Sequence, residues 1–305
     1  MATRLGFIGI GKMGSAMGTN LLKAGFSLTV HDIREEATRP LLELGARLAD
    51  SPRAVSQASE VVMTCLPGPR EVEPVALGED GIIHGLARDG VYIDLSSNSP
   101  SLIRHIHQRF QERGCRVLDA TVAGRAPLAW ERELMVMVGG DPGVFQRCRP
   151  ILEAIGNRIV YCGPVGNGMI CKLMHNCINA IFRQAVAECF TLGVKAGVDA
   201  QTLWEVVRNG ITCAGSEINR TMRNTWLKGD FDTHTGSLSI SYKDTLLATE
   251  LGREYQVPMM LASSALQQLM AAVNRGWVEK DSTIVTLLQE ERAGVQVRIS
   301  EPSGT

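Results

Sequence analysis

The sequence predicts an α/β protein: a doubly wound, largely parallel sheet, then an all-α half, joined by one long helix. In the first half, short β-branched or apolar runs alternate with amphipathic stretches, the pattern of βαβ units. After Cys162 no such strand run recurs. From Asn167 to Lys195 there is no proline, and only Gly168 and Gly193 interrupt the helical periodicity. At 1.5 Å per residue that stretch makes a helix roughly 40 Å long, longer than globular helices usually run.

The strands are expected at Leu5–Ile10, Ser27–His31, Val61–Cys65, Val91–Leu95 and Arg116–Leu118, with Leu134–Val138 and Arg158–Tyr161 after them. Met13–Lys23, Glu71–Ala76 and Ser101–Arg113 read as the crossing helices, and another helix starts near Asp141-Pro142. In the second half Ala200–Arg208, Glu217–Trp226, Leu238–Glu254, Pro258–Arg275 and Ser282–Glu291 all carry helical patterns. The expected organisation is a sheet domain over 1–164, a connecting helix over 165–196, a helical domain over 197–297 and a frayed tail over 298–305. At about 150 residues per domain, 305 residues agree with two domains.

Composition narrows the function classes. Lys plus Arg is 31 and Asp plus Glu is 32, a formal net charge of -1, so there is no basic footprint for nucleic acid or anionic membrane. No run approaches the roughly 20 apolar residues of a bilayer span, and Leu5–Ile10 is too short for a signal-peptide core. The 8 cysteines contain no C-x-x-C, which fits neither a zinc site nor a disulfide framework. Free, mostly buried thiols in a reducing cytoplasm are expected, and no metal.

Gly9, Gly11 and Gly14 stand in G-x-G-x-x-G spacing directly after a strand, at the opening of a helix, with Asp32 at the end of the next strand. In that setting one glycine permits the tight turn, one lets a pyrophosphate approach the backbone, and one allows close helix–strand packing. The helix start at Lys12 and Met13 offers unpaired N–H groups and the positive end of the helix dipole. The sheet domain is therefore expected to be Rossmann-type and to bind a dinucleotide. A carboxylate at Asp32 accepts from a ribose diol and repels a 2′-phosphate, which favours NAD; Arg34, two residues on, leaves NADP open.

The second strong signal is Gly163-Pro-Val-Gly166-Asn-Gly168-Met-Ile-Cys-Lys172-Leu-Met-His175-Asn176. Lys172 and Asn176 are four apart and share one helix face. Apolar neighbours (Ile170, Cys171, Leu173, Met174) suggest a partly buried ammonium, the kind of lysine that serves as a general acid/base. These motifs resemble the 3-hydroxyisobutyrate dehydrogenase (β-hydroxyacid dehydrogenase) family from Gly6 to about Leu288. The likeness takes in the glycine turn, Cys65-Leu66-Pro67, Asp94-Leu95-Ser96-Ser97, the lysine–asparagine run and Lys243-Asp244. It implies an NAD(P)-dependent dehydrogenase in which Lys172 takes the hydroxyl proton and Asn176 orients the substrate. Leu66, Pro67, Ser97 and Lys243 would then contact the cofactor.

The substrate loop departs from the family. Where the family reads Asp-Ala-Pro-Val-Ser-Gly-Gly, this chain reads Asp119-Ala-Thr121-Val-Ala123-Gly124-Arg125. A hydroxyl donor is lost at Ala123 and a guanidinium, suited to bidentate anion binding, is gained at Arg125. Sulfolactaldehyde reductases also carry Gly-Arg here, with the arginine one position earlier; an arginine turned to solvent is the competing reading. The Lys-Leu-Met-His-Asn run is also similar to 6-phosphogluconate dehydrogenases, whose glutamate is Asn179 here. Without that acid the chemistry should stop at hydride transfer, with His175 and Asn179 lining the substrate pocket.

The leading expectation is thus interconversion of a small anionic β-hydroxy acid and its semialdehyde, with the site beside the long helix in the cleft between domains. A semialdehyde or sulfolactaldehyde reductase, a β-hydroxy-amino-acid or imine oxidoreductase, and an idle dinucleotide-binding scaffold are the alternatives. Trp204, Trp226, Leu261, Leu266 and Leu269 exceed what one small layer needs, so a homodimer or homotetramer is expected.

Overall fold

The computed structural model describes residues 3–210, 217–232 and 236–299. It divides into two compact units, 1–172 and 173–305.

The first unit is built on eight strands: β1 (Arg4–Ile8), β2 (Ser27–His31), β3 (Arg47–Leu48), β4 (Val61–Thr64), β5 (Val91–Asp94), β6 (Arg116–Ala123), β7 (Leu134–Gly140) and β8 (Gly156–Gly163). They form one sheet in the order β3-β2-β1-β4-β5-β6-β7-β8. All neighbours are parallel except β6 and β7. The helices are α1 (Lys12–Lys23), α2 (Arg39–Glu43), α3 (Pro52–Gln57), α4 (Pro69–Leu77), α5 (Pro100–Glu112), α6 (Ala126–Trp130) and α7 (Pro142–Ile155).

Strand chemistry explains the two covered faces. Phe7, Val61, Met63, Ile93 and Leu118 point into a core with Met17 and Leu21 of α1 and with Ile151 and Leu152 of α7. Their strand neighbours Ile8, Val62, Tyr92 and Val117 point into a second core with Val55, Val72, Ile103 and Phe110. Residues in sequence alternate between the faces, as the strand period of two requires, and both faces are apolar because helices cover both. Each such fully buried aliphatic or aromatic side chain contributes about 1.5–3 kcal/mol. Helix starts are written locally: Ser51, Ser99 and Asp141 each accept from a backbone N–H three residues on, and each precedes a proline.

The second unit takes most of the long helix α8 (Asn167–Lys195), then α9 (Ala200–Asn209), α10 (Glu217–Asn224), α11 (Leu238–Glu254), α12 (Met260–Asn274) and α13 (Thr286–Ala293). Its core gathers Phe190, Trp204, Trp226, Leu227, Leu269 and Leu288.

Several expectations need correction. β6 runs on past Leu118 to Ala123, because Leu118 to Ala123 pair antiparallel with Gly140 to Met135; the supposed loop is mostly strand. The short α2, α3, β3 and α6 were not expected. Trp226 opens a 3-10 turn rather than ending α10, and Ser282–Val285 is likewise a 3-10 turn before α13. Trp204, Trp226 and Leu269 fill their own unit's core, so they are no surplus; Leu261, 70% exposed, is. Arg298 and Ile299 are not frayed: Arg298 pairs with buried Glu290 at 2.6 Å, and the Ile299 amide donates to Leu227. Cys171 and Cys189 are exposed where buried thiols were expected; Cys213 lies outside the described residues.

Candidate active site

The glycine turn is built as three separate solutions. Gly9 has φ +92°, and its N–H donates to the His31 carbonyl; a Cβ there would lie 2.4 Å from the Cys65 carbonyl oxygen. A Cβ on Gly14 would lie 2.0 Å from the Gly9 carbonyl oxygen, so this glycine seats α1 against the turn. At Gly11 a Cβ would meet no protein atom within 4 Å. That glycine answers to no packing need inside the protein, and it caps α1, whose first turn carries no acid and no side-chain cap. A helix start of this kind, with backbone approachable at its cap, suits a phosphate. A groove of about 410 Å³ opens here, walled by Gly11, Lys12, Ser15, Arg34, Ala126 and Trp130. Lys12 is exposed. The Met13 side chain instead packs on the core, which leaves its backbone N–H as the group to offer.

Asp32 closes the turn. Its carboxylate accepts from the Ile10 N–H at 2.7 Å and the Arg34 N–H at 2.9 Å, and lies 3.9 Å from Arg34 Nε. The side chain of Arg34 is 64% exposed. Beside it, the ends of β4 and β5 are tied by buried Asp94, which accepts from Thr64 Oγ1, the Ser96 N–H and Asn98 Nδ2. Burial raises the Asp94 carboxyl above its ordinary range, with those hydrogen bonds opposing it. Ser96 Oγ then accepts from the Leu66 N–H at 2.9 Å, which fixes the Leu66-Pro67 segment. Ser97, the expected contact, follows Ser96 and is half-buried.

The start of α8 is anchored from β6. Buried Asp119 accepts from the N–H groups of Gly166 and Met169, both at 2.8 Å, and Thr121 Oγ1 donates to the Gly168 carbonyl at 3.0 Å. A Cβ at Gly168 would lie 2.5 Å from the Met137 carbonyl oxygen and 2.8 Å from Asp119 Oδ2, so the close approach requires glycine. Burial pushes the Asp119 carboxyl up to about 6, against the two backbone hydrogen bonds. Three residues beyond Met169 the helix carries half-buried Lys172. Ala123 is buried at the end of β6, Gly124 turns at φ +137°, and Arg125 caps α6. Asn20 Nδ2 holds α6 to α1 through the Ala129 carbonyl at 2.7 Å.

In the second unit fully buried Asp244 gathers two of the expected residues. Asn176 Nδ2 donates to one carboxylate oxygen at 2.5 Å, and Lys243 Nζ lies 3.2 Å from the other. His175 and Asn179, one helical turn apart, share a hydrogen bond at 3.3 Å.

The comparisons decide the family. The model described as the NAD binding domain of 6-phosphogluconate dehydrogenase matches residues 4–163, over half the chain, and the NAD-binding model of NADP-dependent 3-hydroxyisobutyrate dehydrogenase matches 166–288. The chain belongs to the 3-hydroxyisobutyrate dehydrogenase family. One relative is the NAD-dependent L-serine dehydrogenase of Pseudomonas aeruginosa, 33% identical over 95% of this chain and 99% of that protein. Another is the 2-(hydroxymethyl)glutarate dehydrogenase of Eubacterium barkeri, 30% identical over 96% and 97%. Among solved structures, the Mycobacterium tuberculosis 3-hydroxyisobutyrate dehydrogenase with L-serine is 27% identical, covers 94% and 99% of the two chains, and superposes with a TM-score of 0.83. The 3-hydroxyisobutyrate dehydrogenase from Salmonella typhimurium is 25% identical over 94% and 99%, also at 0.83. The protein is accordingly an NAD(P)-dependent β-hydroxy-acid dehydrogenase.

Within this family member, reasoning from the motifs missed the anchoring done by Asp119, Thr121, Ser96 and Asp244. The signal for Asp119 was present: a carboxylate on a strand, with glycines at 139 and 168 whose missing side chains make room for it. Its partners, 47 and 50 residues away, were not readable.

Proposed function

We propose that the protein oxidises the hydroxyl of a small carboxylate-bearing β-hydroxy acid such as L-serine or 3-hydroxyisobutyrate, or reduces the matching semialdehyde, with Lys172 as general acid/base. The observation that carries this reading is the Asp244 carboxylate holding both Asn176 and Lys243, the residues expected to orient substrate and cofactor. A nicotinamide bound there would supply the hydride acceptor. Lys172 Nζ takes the hydroxyl proton as the C–H bond breaks and returns it in reduction. Asn176, fixed by Asp244, orients the substrate beside Lys172, one helical turn earlier on α8.

At the cofactor end the first turn of α1 takes the pyrophosphate, with Gly9, Gly11, Lys12, Met13 and Gly14 as the contacts. Leu66, Pro67, Ser97 and Lys243 hold the nicotinamide half. NAD is preferred over NADP because Asp32, already braced by two N–H groups, retains lone pairs for a ribose diol and opposes a 2′-phosphate. Arg125, with Ala123 and Gly124, receives the substrate carboxylate or a sulfonate, and His175 and Asn179 line the pocket. The described thiols are free, in keeping with a reducing cytoplasm. Exposed Met260 and Leu261 support association into a homodimer or homotetramer.

A panel of serine, 3-hydroxyisobutyrate, 3-hydroxypropionate, glycerate, 4-hydroxybutyrate and dihydroxypropanesulfonate, read by reduced nicotinamide absorbance, tests the reaction. The expected result is one preferred acid, NAD preferred as partner, and a Lys172→Ala variant that binds NAD but loses about 10²–10⁴-fold in kcat. Lys172→Ala turning over at the wild-type rate would sink the mechanism. Arg125→Ala is expected to raise KM for the preferred acid with little change in kcat; an unchanged KM removes the anion clamp.

A further inference from the structure

Two cysteines meet where β8 hands the chain to α8. After one slip between Leu134 and Met135, β7 and β8 pair in step as far as Val138 and Tyr161, then resume at Gly139 and Gly163, so Cys162 is the extra residue of a second bulge. A bulge takes its extra residue out of the ladder and re-aims the side chain. The Cys162 carbonyl accepts from Asn167 Nδ2 at 2.8 Å, in the first turn of α8. Cys171 lies four residues beyond Asn167 and therefore on the same helix face, so the face that bonds the bulge also presents Cys171 to it. The Cys162 thiol donates to the Val160 carbonyl at 3.5 Å, and its sulfur is close enough to Cys171 for the two thiols to act on each other. Cys162 is half-buried, Cys171 is exposed, and both are free thiols. Between them lie Gly163, Gly166 and Gly168, and Lys172 follows directly.

We propose that Cys162 and Cys171 form a peroxide-sensitive pair that closes to a disulfide across the entry of α8. Cys171, the accessible sulfur, reacts first. As thiolate it attacks one oxygen of hydrogen peroxide; the O–O bond breaks, hydroxide leaves and is protonated to water, and Cys171 becomes a sulfenic acid. The Cys162 sulfur then attacks the Cys171 sulfur. The S–S bond forms, the S–O bond breaks, and the oxygen departs as a second water with the Cys162 proton. Two thiols lose two hydrogens, and one peroxide becomes two waters. Burial, then the neighbouring Cys171 thiol, pushes the Cys162 thiol up to about 12, so Cys162 is not the sulfur that meets peroxide as thiolate. Closure needs the two sulfurs to approach to the roughly 2 Å of a disulfide.

The bond would tether the residue before Lys172 to β8, on top of the holds that Asp119 and Thr121 already place on this turn. A loss of turnover on oxidation rests on the role proposed for Lys172; the disulfide does not.

Trypsin cuts after Arg158 and Lys172, so residues 159–172 leave as one peptide with both cysteines and no others. Purified protein is treated with hydrogen peroxide, denatured, alkylated and digested. The expected peptide is two hydrogens lighter and unalkylated, and dithiothreitol before alkylation restores two blocked thiols. Activity on the preferred acid should fall with the same time course and return with dithiothreitol. Cys162→Ser should carry Cys171 on to the sulfinic acid, which dithiothreitol does not recover. A wild-type peptide alkylated at both cysteines while exposed Cys189 has been oxidised overturns the pair; so does wild-type Cys171 sulfinic acid without loss of two hydrogens. A formed disulfide with undiminished turnover overturns its effect on α8. Absent activity before any oxidation counts against the proposed reaction alone.

Discussion

Gly9, Gly11 and Gly14 carry the same side chain for three different physical reasons. Gly14→Ala forces a Cβ to 2.0 Å from a backbone oxygen that cannot move away. Overpacking of this kind costs about 1–3 kcal/mol or more, so its thermal midpoint should fall clearly. Gly11→Ala meets only open space in the protein. Its midpoint should stay near wild type while calorimetry shows weakened NAD binding. Equal loss of stability in both variants would contradict this division of labour. The glycine spacing, Asp32, and the Lys172–Asn176 face were all legible because each is a local pattern. The braces were not. Asn176 finds its carboxylate 68 residues away, and Leu66 finds Ser96 Oγ 30 away; no spacing rule connects such residues before the chain folds. Asp244→Ala should therefore lower kcat by loosening Asn176 and Lys243, with the unit still folded by circular dichroism.

Helix α8 shows what an element can and cannot disclose about itself. Its limits, Asn167 and Lys195, follow from periodicity and missing prolines. Its anchoring follows from β6, whose part beyond Leu118 the sequence presents as a substrate loop and the structure pairs along β7 to Ala123. The Asp119 carboxyl at this joint has its folded value raised to about 6 from an ordinary 3.8, chiefly by burial, with nearby Asp94 adding to it. Between those values the folded state holds a proton that the unfolded chain has released. This contribution to stability is therefore complete below about pH 4 and is lost as the pH rises through 6, on the order of 3 kcal/mol in all. Asp119→Asn should flatten that part of the pH profile in urea unfolding at pH 4.5 and 7. An unchanged profile would show that Asp119 does not titrate there.

At the scale of the whole molecule, two units have separate cores. Trp226 in the second unit is fully buried, packs against Phe190 with the rings tilted by 54°, and donates from Nε1 to Glu290 at 2.7 Å. Trp226→Phe leaves that carboxylate short of one donor, a cost of about 1–3 kcal/mol. It should lower the thermal midpoint of the helical unit while that of the sheet unit stays unchanged; an equal fall in both would show that the units do not fold independently. By itself the sequence determined the fold class, the two-part organisation, the dinucleotide turn and the family, because periodicity, turn chemistry and motif spacing are properties of neighbouring residues. Only the tertiary structure decided which carboxylates brace Asn176 and the start of α8, that the substrate loop is mostly strand, that Trp204 and Trp226 serve a core, and that Cys162 is an extra residue in its ladder. Those outcomes depend on burial and on partners distant along the chain. A buried polar group must find its hydrogen bonds wherever packing brings them, and packing is settled by all the elements together.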